Sequence, residues 1–126
     1  PRKRTVIIFD LGGVVVDSPI VAIRKFCSGA GLEDLNPFLA RSSVWDAFMR
    51  GKLSPVDFPR AVHEECVRAG YAPGVELGAD GWGVLLHALS SGGPRPLMVR
   101  AIARLREAGL RVAALTNNFH EEPHTD

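Results

Sequence analysis

The sequence predicts an α/β fold in which a parallel sheet carries a long helical insertion. Three observations predict it. Thr5-Val6-Ile7-Ile8-Phe9 is a short, continuous apolar run rich in β-branched residues. Arg111 to Thr116, "RVAALT", is a second run of strand character. Helix-starting and helix-ending signals fill most of the chain between them. A continuous apolar run marks a strand buried on both faces, as in a parallel sheet. Strands joined through helices favour parallel pairing.

The elements follow in order. Asp17-Ser18-Pro19 reads as a cap followed by a first-turn proline, and Ile20, Ile23, Phe26, Cys27 and Ala30 recur at helical spacing. Asn36-Pro37 repeats the signal. Phe38, Arg41, Trp45, Phe48 and Met49 then line one face, and Gly51 ends that helix. Ser54-Pro55 starts a third helix with Phe58, Val62, Cys66 and Ala69 inward, and Pro59 kinks its first turn or delays its start. The stretch 72–96 is rich in Gly and Pro and holds one short helix near Trp82 to Leu89. Pro96 opens a stronger helix with Leu97, Ala101, Ile102 and Leu105 inward and Gly109 just past its end. The predicted organisation is a partial α/β core from 1–18 and 94–126, with a helical cap subdomain over 19–93.

Composition narrows the function classes. A chain of 126 residues is one domain by default. With 46% apolar and 23% charged residues it has ordinary globular composition. A formal net charge of +1 gives no whole-molecule steering toward nucleic acid. The one basic cluster, Pro1-Arg2-Lys3-Arg4, reads as a solvated terminus. No run approaches the ~18 apolar residues of a membrane span, so no membrane partner is expected. Cys27 and Cys66 lack metal or redox spacing and fall on apolar helix faces, as buried free thiols in a reducing, intracellular and cytoplasmic setting would. No signal peptide is visible, because Asp10 cuts the first apolar run short.

The chemistry gathers at the strand ends. In an open parallel sheet, ligands bind beyond the carboxyl ends of the strands. Asp10 lies at that end of the first strand, and Thr116, Asn117 and Asn118 lie at that end of the second. A carboxylate there can attack phosphorus and form an aspartyl phosphate. Gly12 and Gly13 let the backbone turn sharply, so that its amides can face a phosphate. The Thr116 hydroxyl and the Asn117 amide can hold phosphoryl oxygens. Mg²⁺ would offset the charge of a carboxylate approaching a phosphate. Asn118 is either a turn former or a polar lining residue. Asp17 reads as a helix cap, and Arg41, Arg50 and Lys52 read as solvated surface.

These residues resemble the haloacid dehalogenase-like (HAD) hydrolases. "VIIFDLGGVVVD" is similar to that family's first motif and "VAALTNN" to its second. "FDLGGVVVDSP" with "LTNNF" is most similar to a subgroup that includes the N-terminal phosphatase-like domains of soluble epoxide hydrolases and of acyl-CoA dehydrogenase family member ten. The resemblance implies a Rossmann-like core with an inserted helical cap and a Mg²⁺-dependent phosphatase. In that reading Asp10 is the nucleophile and a metal ligand, the backbone carbonyl of Gly12 is a second ligand, and Thr116 and Asn117 bind phosphate. The expected partner is a small phosphorylated substrate.

Two departures accompany the resemblance. Relatives usually place a proton-transferring Asp where this chain has Gly12, and some members of related subgroups carry Gly there. Their third and fourth motifs supply a Lys and metal-binding acids after the second motif, beyond where this sequence stops. The chain, which opens on Pro1, is therefore expected to be a truncated fragment with an incomplete core. On its own it would be inactive, or a noncatalytic N-terminal module of a longer parent with further domains. One decoy falls away. His120 to His124, "HEEPH", matches H-E-x-x-H, but Pro123 opposes the regular helix that a zinc site of that kind needs. The substrate, the oligomeric state and the organelle stay open.

Overall fold

A computed structural model describes residues 5–116. It is a small, mixed α/β arrangement, mostly helical, with a two-stranded parallel sheet. Strand β1 (Val6–Asp10) pairs with β2 (Arg111–Leu115), from Val6 opposite Arg111 to Asp10 opposite Leu115. A parallel pair cannot be closed by a hairpin and needs a long crossover. Six helices supply it: α1 (Pro19–Ala30), α2 (Asn36–Leu39), α3 (Ser43–Met49), α4 (Phe58–Ala69), α5 (Ala72–Ser90) and α6 (Pro96–Glu107). A many-stranded Rossmann-like core is not formed by the described residues.

The hydrophobic core lies in the helices and not on the sheet. Ile23 and Cys27 of α1, Leu35, Leu39, Phe48, Phe58, Val62 and Cys66, and Trp82, Leu85 and Leu86 of α5 form one buried cluster. Phe48 stacks on Phe58 with ring centroids 4.4 Å apart, and Trp82 meets Phe58 edge-on at 6.3 Å. The Trp82 indole N–H donates to the Gly74 carbonyl at 3.1 Å, so the largest buried ring is also satisfied. Both cysteines are free and buried, as their apolar faces imply.

Several expectations need correction. The apolar run of β1 does not give a strand buried on both faces: Ile8 is 61% exposed and Val6 is exposed too. One partner strand, with α6 packed on β2, leaves much of the sheet uncovered. Helix α6 has no buried residue. Ile102 and Leu105 are half-buried, whereas Ala101 is exposed and Leu97 is 73% exposed. The helix expected after Asn36-Pro37 is two helices, because Ser42 interrupts it and accepts a capping hydrogen bond from the Trp45 amide. Arg41 is consequently on the surface rather than on the inward face. The Gly- and Pro-rich stretch, expected to hold only a short helix, is helical over Ala72–Ser90 with one break at Gly78 (φ 69°, ψ 167°). Helix α4 starts late, at Phe58, as Pro59 allows, but Ala69 at its end is exposed.

The helical segment leaves and rejoins the sheet through one crossing. The Asp17 amide donates to the Gly93 carbonyl at 3.2 Å, Val16 bridges Pro94 in antiparallel fashion, and the Arg95 amide donates to the Val15 carbonyl at 2.7 Å. Asp17 therefore precedes the cap position, which Ser18 occupies, and ties the crossing instead of capping α1. No described helix is long and apolar enough to cross a membrane.

Candidate functional site

Parallel register puts both strand carboxyl ends on one rim. Asp10 is opposite Leu115, so Thr116 follows immediately beyond the pair. A cavity of about 420 Å³, within the size range of ligand pockets, is lined by Ile8, Asp10, Leu115 and Thr116. Asp10 and Thr116 are both exposed there. The structure thus brings together two of the residues singled out from opposite ends of the chain. Asn117, Asn118 and His120 to His124 lie outside the described residues.

The turn after Asp10 is wound on a single carbonyl. The amides of Val14, Val15 and Val16 all donate to the Leu11 oxygen at 3.0–3.1 Å, and the Gly13 amide donates to the Val16 carbonyl at 2.9 Å. Gly13 has φ +77°, a conformation that glycine adopts without strain. Gly12 does not have positive φ, and an added Cβ would find Pro19 Cδ at an ordinary 3.4 Å. The two glycines therefore differ: Gly13 is required by the backbone and Gly12 is not.

The donor set can be compared with Mg²⁺. The Asp10 carboxylate and the Gly12 carbonyl are hard oxygen donors of the kind Mg²⁺ takes. Among the described residues the Gly12 carbonyl accepts no backbone hydrogen bond. No group of three or more His, Cys, Asp or Glu among the described residues could hold a metal alone.

No protein-family model matches the chain. Acyl-CoA dehydrogenase family member 10 of Mus musculus is 29% identical over 127 residues, which cover 94% of this chain and 11% of that protein. The chain thus corresponds to a small part of the relative's length.

Two polar features escaped the sequence. The Glu65 carboxylate on α4 collects the Ser42 hydroxyl, the Ser43 amide (2.9 Å), the Ser43 hydroxyl (2.7 Å) and the Val44 amide (3.4 Å) at the start of α3. Burial raises its pKa, but these hydrogen bonds outweigh that and hold it below the ordinary glutamate value. It is a structural clamp. The second is Arg95, whose guanidinium donates to the Gly13 carbonyl at 3.2 Å across 82 positions of sequence. Its partner is a main-chain oxygen, which no side-chain motif advertises. Arg50 pairs with Asp46 on the surface, and Arg41 and Lys52 are exposed, in line with their reading as solvated.

Proposed function

We propose that the rim is the phosphoryl site of a HAD-like, Mg²⁺-dependent phosphatase domain. The observation that supports it is the shared cavity of Asp10 and Thr116 beyond the carboxyl ends of a parallel pair. An Asp10 oxygen would attack phosphorus as the bond to the leaving oxygen breaks, giving an aspartyl phosphate that water then hydrolyses. The Thr116 hydroxyl and Asn117 would hold phosphoryl oxygens. The Asp10 carboxylate and Gly12 carbonyl would hold Mg²⁺, which offsets charge as carboxylate and phosphate approach. Gly12 carries no proton, so the leaving alcohol takes its proton from water or from the substrate. Small phosphate monoesters with good leaving groups are therefore the favoured class.

A second reading, a noncatalytic phosphate-binding module of a longer protein, draws on the same Gly12, since a positioned acid or base contributes ~10²–10⁴-fold in rate. Titration of the chain with Mg²⁺ and beryllium fluoride together should shift the amides of Leu11 to Val15, and Asp10→Asn should remove the response. Turnover of an aryl phosphate that disappears with Asp10→Asn supports the phosphatase. Binding of the mimic without turnover, in a chain extended through the Lys and metal-binding acids that the resemblance implies, supports the module. Equal mimic binding by wild type and Asp10→Asn refutes both.

A further inference from the structure

We propose that Arg95 is a positioning residue that sets the turn after Asp10 for an anion. The inference rests on the phosphoryl reading of the rim. Three backbone interactions align 93–95 along 15–17: Asp17 amide to Gly93 carbonyl, the Val16–Pro94 bridge, and Arg95 amide to Val15 carbonyl. That register fixes the Arg95 backbone beside Val15. Its side chain reaches two residues further along the turn and donates to the Gly13 oxygen at 3.2 Å.

Gly13 is where such a tie has most effect. It has positive φ and no side chain to limit its motion. Orienting its carbonyl orients the peptide plane between Gly13 and Val14, and with it the turn that begins at the Asp10 carboxylate. A guanidinium donating to a carbonyl makes a charge-assisted hydrogen bond.

The charge itself is the second observation. Arg24, Arg50 and Arg60 each face a carboxylate, Asp34, Asp46 and Glu64. Like Arg41 and Arg68, Arg95 makes no ion pair with a described residue, but it alone of these donates to the turn after Asp10. It brings positive charge to the turn without a described counter-charge, where it favours an anion at the rim. Arg95 is exposed, so its side chain contributes little to stability, while the backbone ties persist when the side chain is changed. Positioning is thus separable from folding.

The test compares wild type, Arg95→Ala, Arg95→Lys and Asp10→Asn, all as the full 126-residue chain. The Gly13 carbonyl carbon shift is read first, without ligand. It should move in Arg95→Ala and move less in Arg95→Lys, which keeps a charge but loses the planar fork. Binding of Mg²⁺ with beryllium fluoride is read second. Arg95→Ala should weaken it about five- to tenfold, the scale of a partly screened charge-assisted bond. Arg95→Lys should recover part of that loss, with urea midpoints unchanged throughout. An unmoved Gly13 carbonyl in Arg95→Ala overturns the inference whatever the ligand does. So does wild-type mimic affinity in Arg95→Ala, or an affinity loss matched by a lower urea midpoint, which would make Arg95 a structural tie. A wild-type chain that ignores the mimic refutes the phosphoryl reading, and the role for Arg95 with it. A Gly13 carbonyl that still responds then shows that the site reading failed and not the contact.

Discussion

Gly74 is the tightest point of the helical core, and substituting it tests how that core is packed. A Cβ added at Gly74 would lie 2.3 Å from Cys66 Sγ and 3.1 Å from both Cys66 Cβ and Tyr71 Cδ1. Optimal carbon contacts are about 3.5–4.0 Å, so the sulfur must move by more than about an ångström. Both Gly74 and Cys66 are buried, and the Gly74 carbonyl also holds the Trp82 indole. Overpacking of this kind costs about 1–3 kcal/mol. The usual gain from replacing a helical Gly, up to about 1 kcal/mol, offsets part of that. Gly74→Ala should therefore destabilise the chain by about 1–2 kcal/mol. Cys66→Ala alone should cost a similar amount, for lost burial and a small cavity. The double variant is the decisive one. With Sγ gone, the 2.3 Å contact disappears and only the two 3.1 Å contacts remain, which shifts of a few tenths of an ångström relieve. Its stability should match that of Cys66→Ala, a coupling of at least about 1 kcal/mol. Urea unfolding followed by far-ultraviolet circular dichroism and tryptophan fluorescence measures all four chains. Additive losses in the double variant would refute the packing argument.

The remaining predictions concern pH, the sheet and the two glycines. Burial, with the Glu65 carboxylate adding to it, pushes the Cys66 thiol up to about 11. The folded state then holds a proton that the unfolded chain releases, so stability should be full below about pH 9 and fall as pH rises through 11, and Cys66→Ala should flatten that limb. Glu65 shifts the other way. Its contribution is present above the ordinary value of 4.5 and is lost as pH falls through its lower folded pKa, so Glu65→Gln should lose stability at neutral pH and show a shallower acid limb. Amide exchange should be far slower in Val62 to Cys66 than in Val6 to Phe9; equal protection would contradict the uncovered sheet. Gly13→Ala should cost about 1–2 kcal/mol for its left-handed backbone, whereas Gly12→Asp should fold normally, and equal losses in thermal unfolding would refute the distinction.

What the sequence disclosed and what it withheld divide along a physical line. The two strands, Pro19 and Pro96 as helix openers, and Gly51 and Gly109 as helix ends are local signals found in place, whereas Ser54-Pro55 does not open α4, which starts at Phe58. Asp10 and Thr116 could be brought to one rim because parallel topology aligns strand ends without any side-chain information. Ser42 was harder to read, because a serine inside an apolar helical pattern looks like a surface position until its hydroxyl is seen to cap a new helix. The glycines and Pro73 before Trp82 argue against a helix there, yet the chain is helical from Ala72 with a single break at Gly78. Glu65 and Arg95 act on partners 21–23 and 82 positions away, and nothing in their immediate neighbours specifies those partners. The exposure of β1 is a different matter. Val6 to Phe9 has the pattern of a covered strand, and the described residues cover it only in part.

The crossing at Asp17 and Gly93 also bears on the order in which the chain can assemble. Before the helices form, β1 and β2 are the ends of a tether about a hundred residues long, and pairing them must confine all of it. Once the helices have closed and Asp17 meets Gly93, the slack between the strands shrinks to the segments 11–16 and 94–110 on either side of that meeting point. That is roughly a fourfold shortening, or two doublings, which lowers the closure cost by about 1.2 kcal/mol. The strand pair gains little from burial of its own, so this head start matters to it. From the standpoint of the sheet, the helical body behaves as a short loop. Any folded insert whose ends approach as closely would serve the strands equally well, so its size and sequence are free to change while β1 and β2 keep their register.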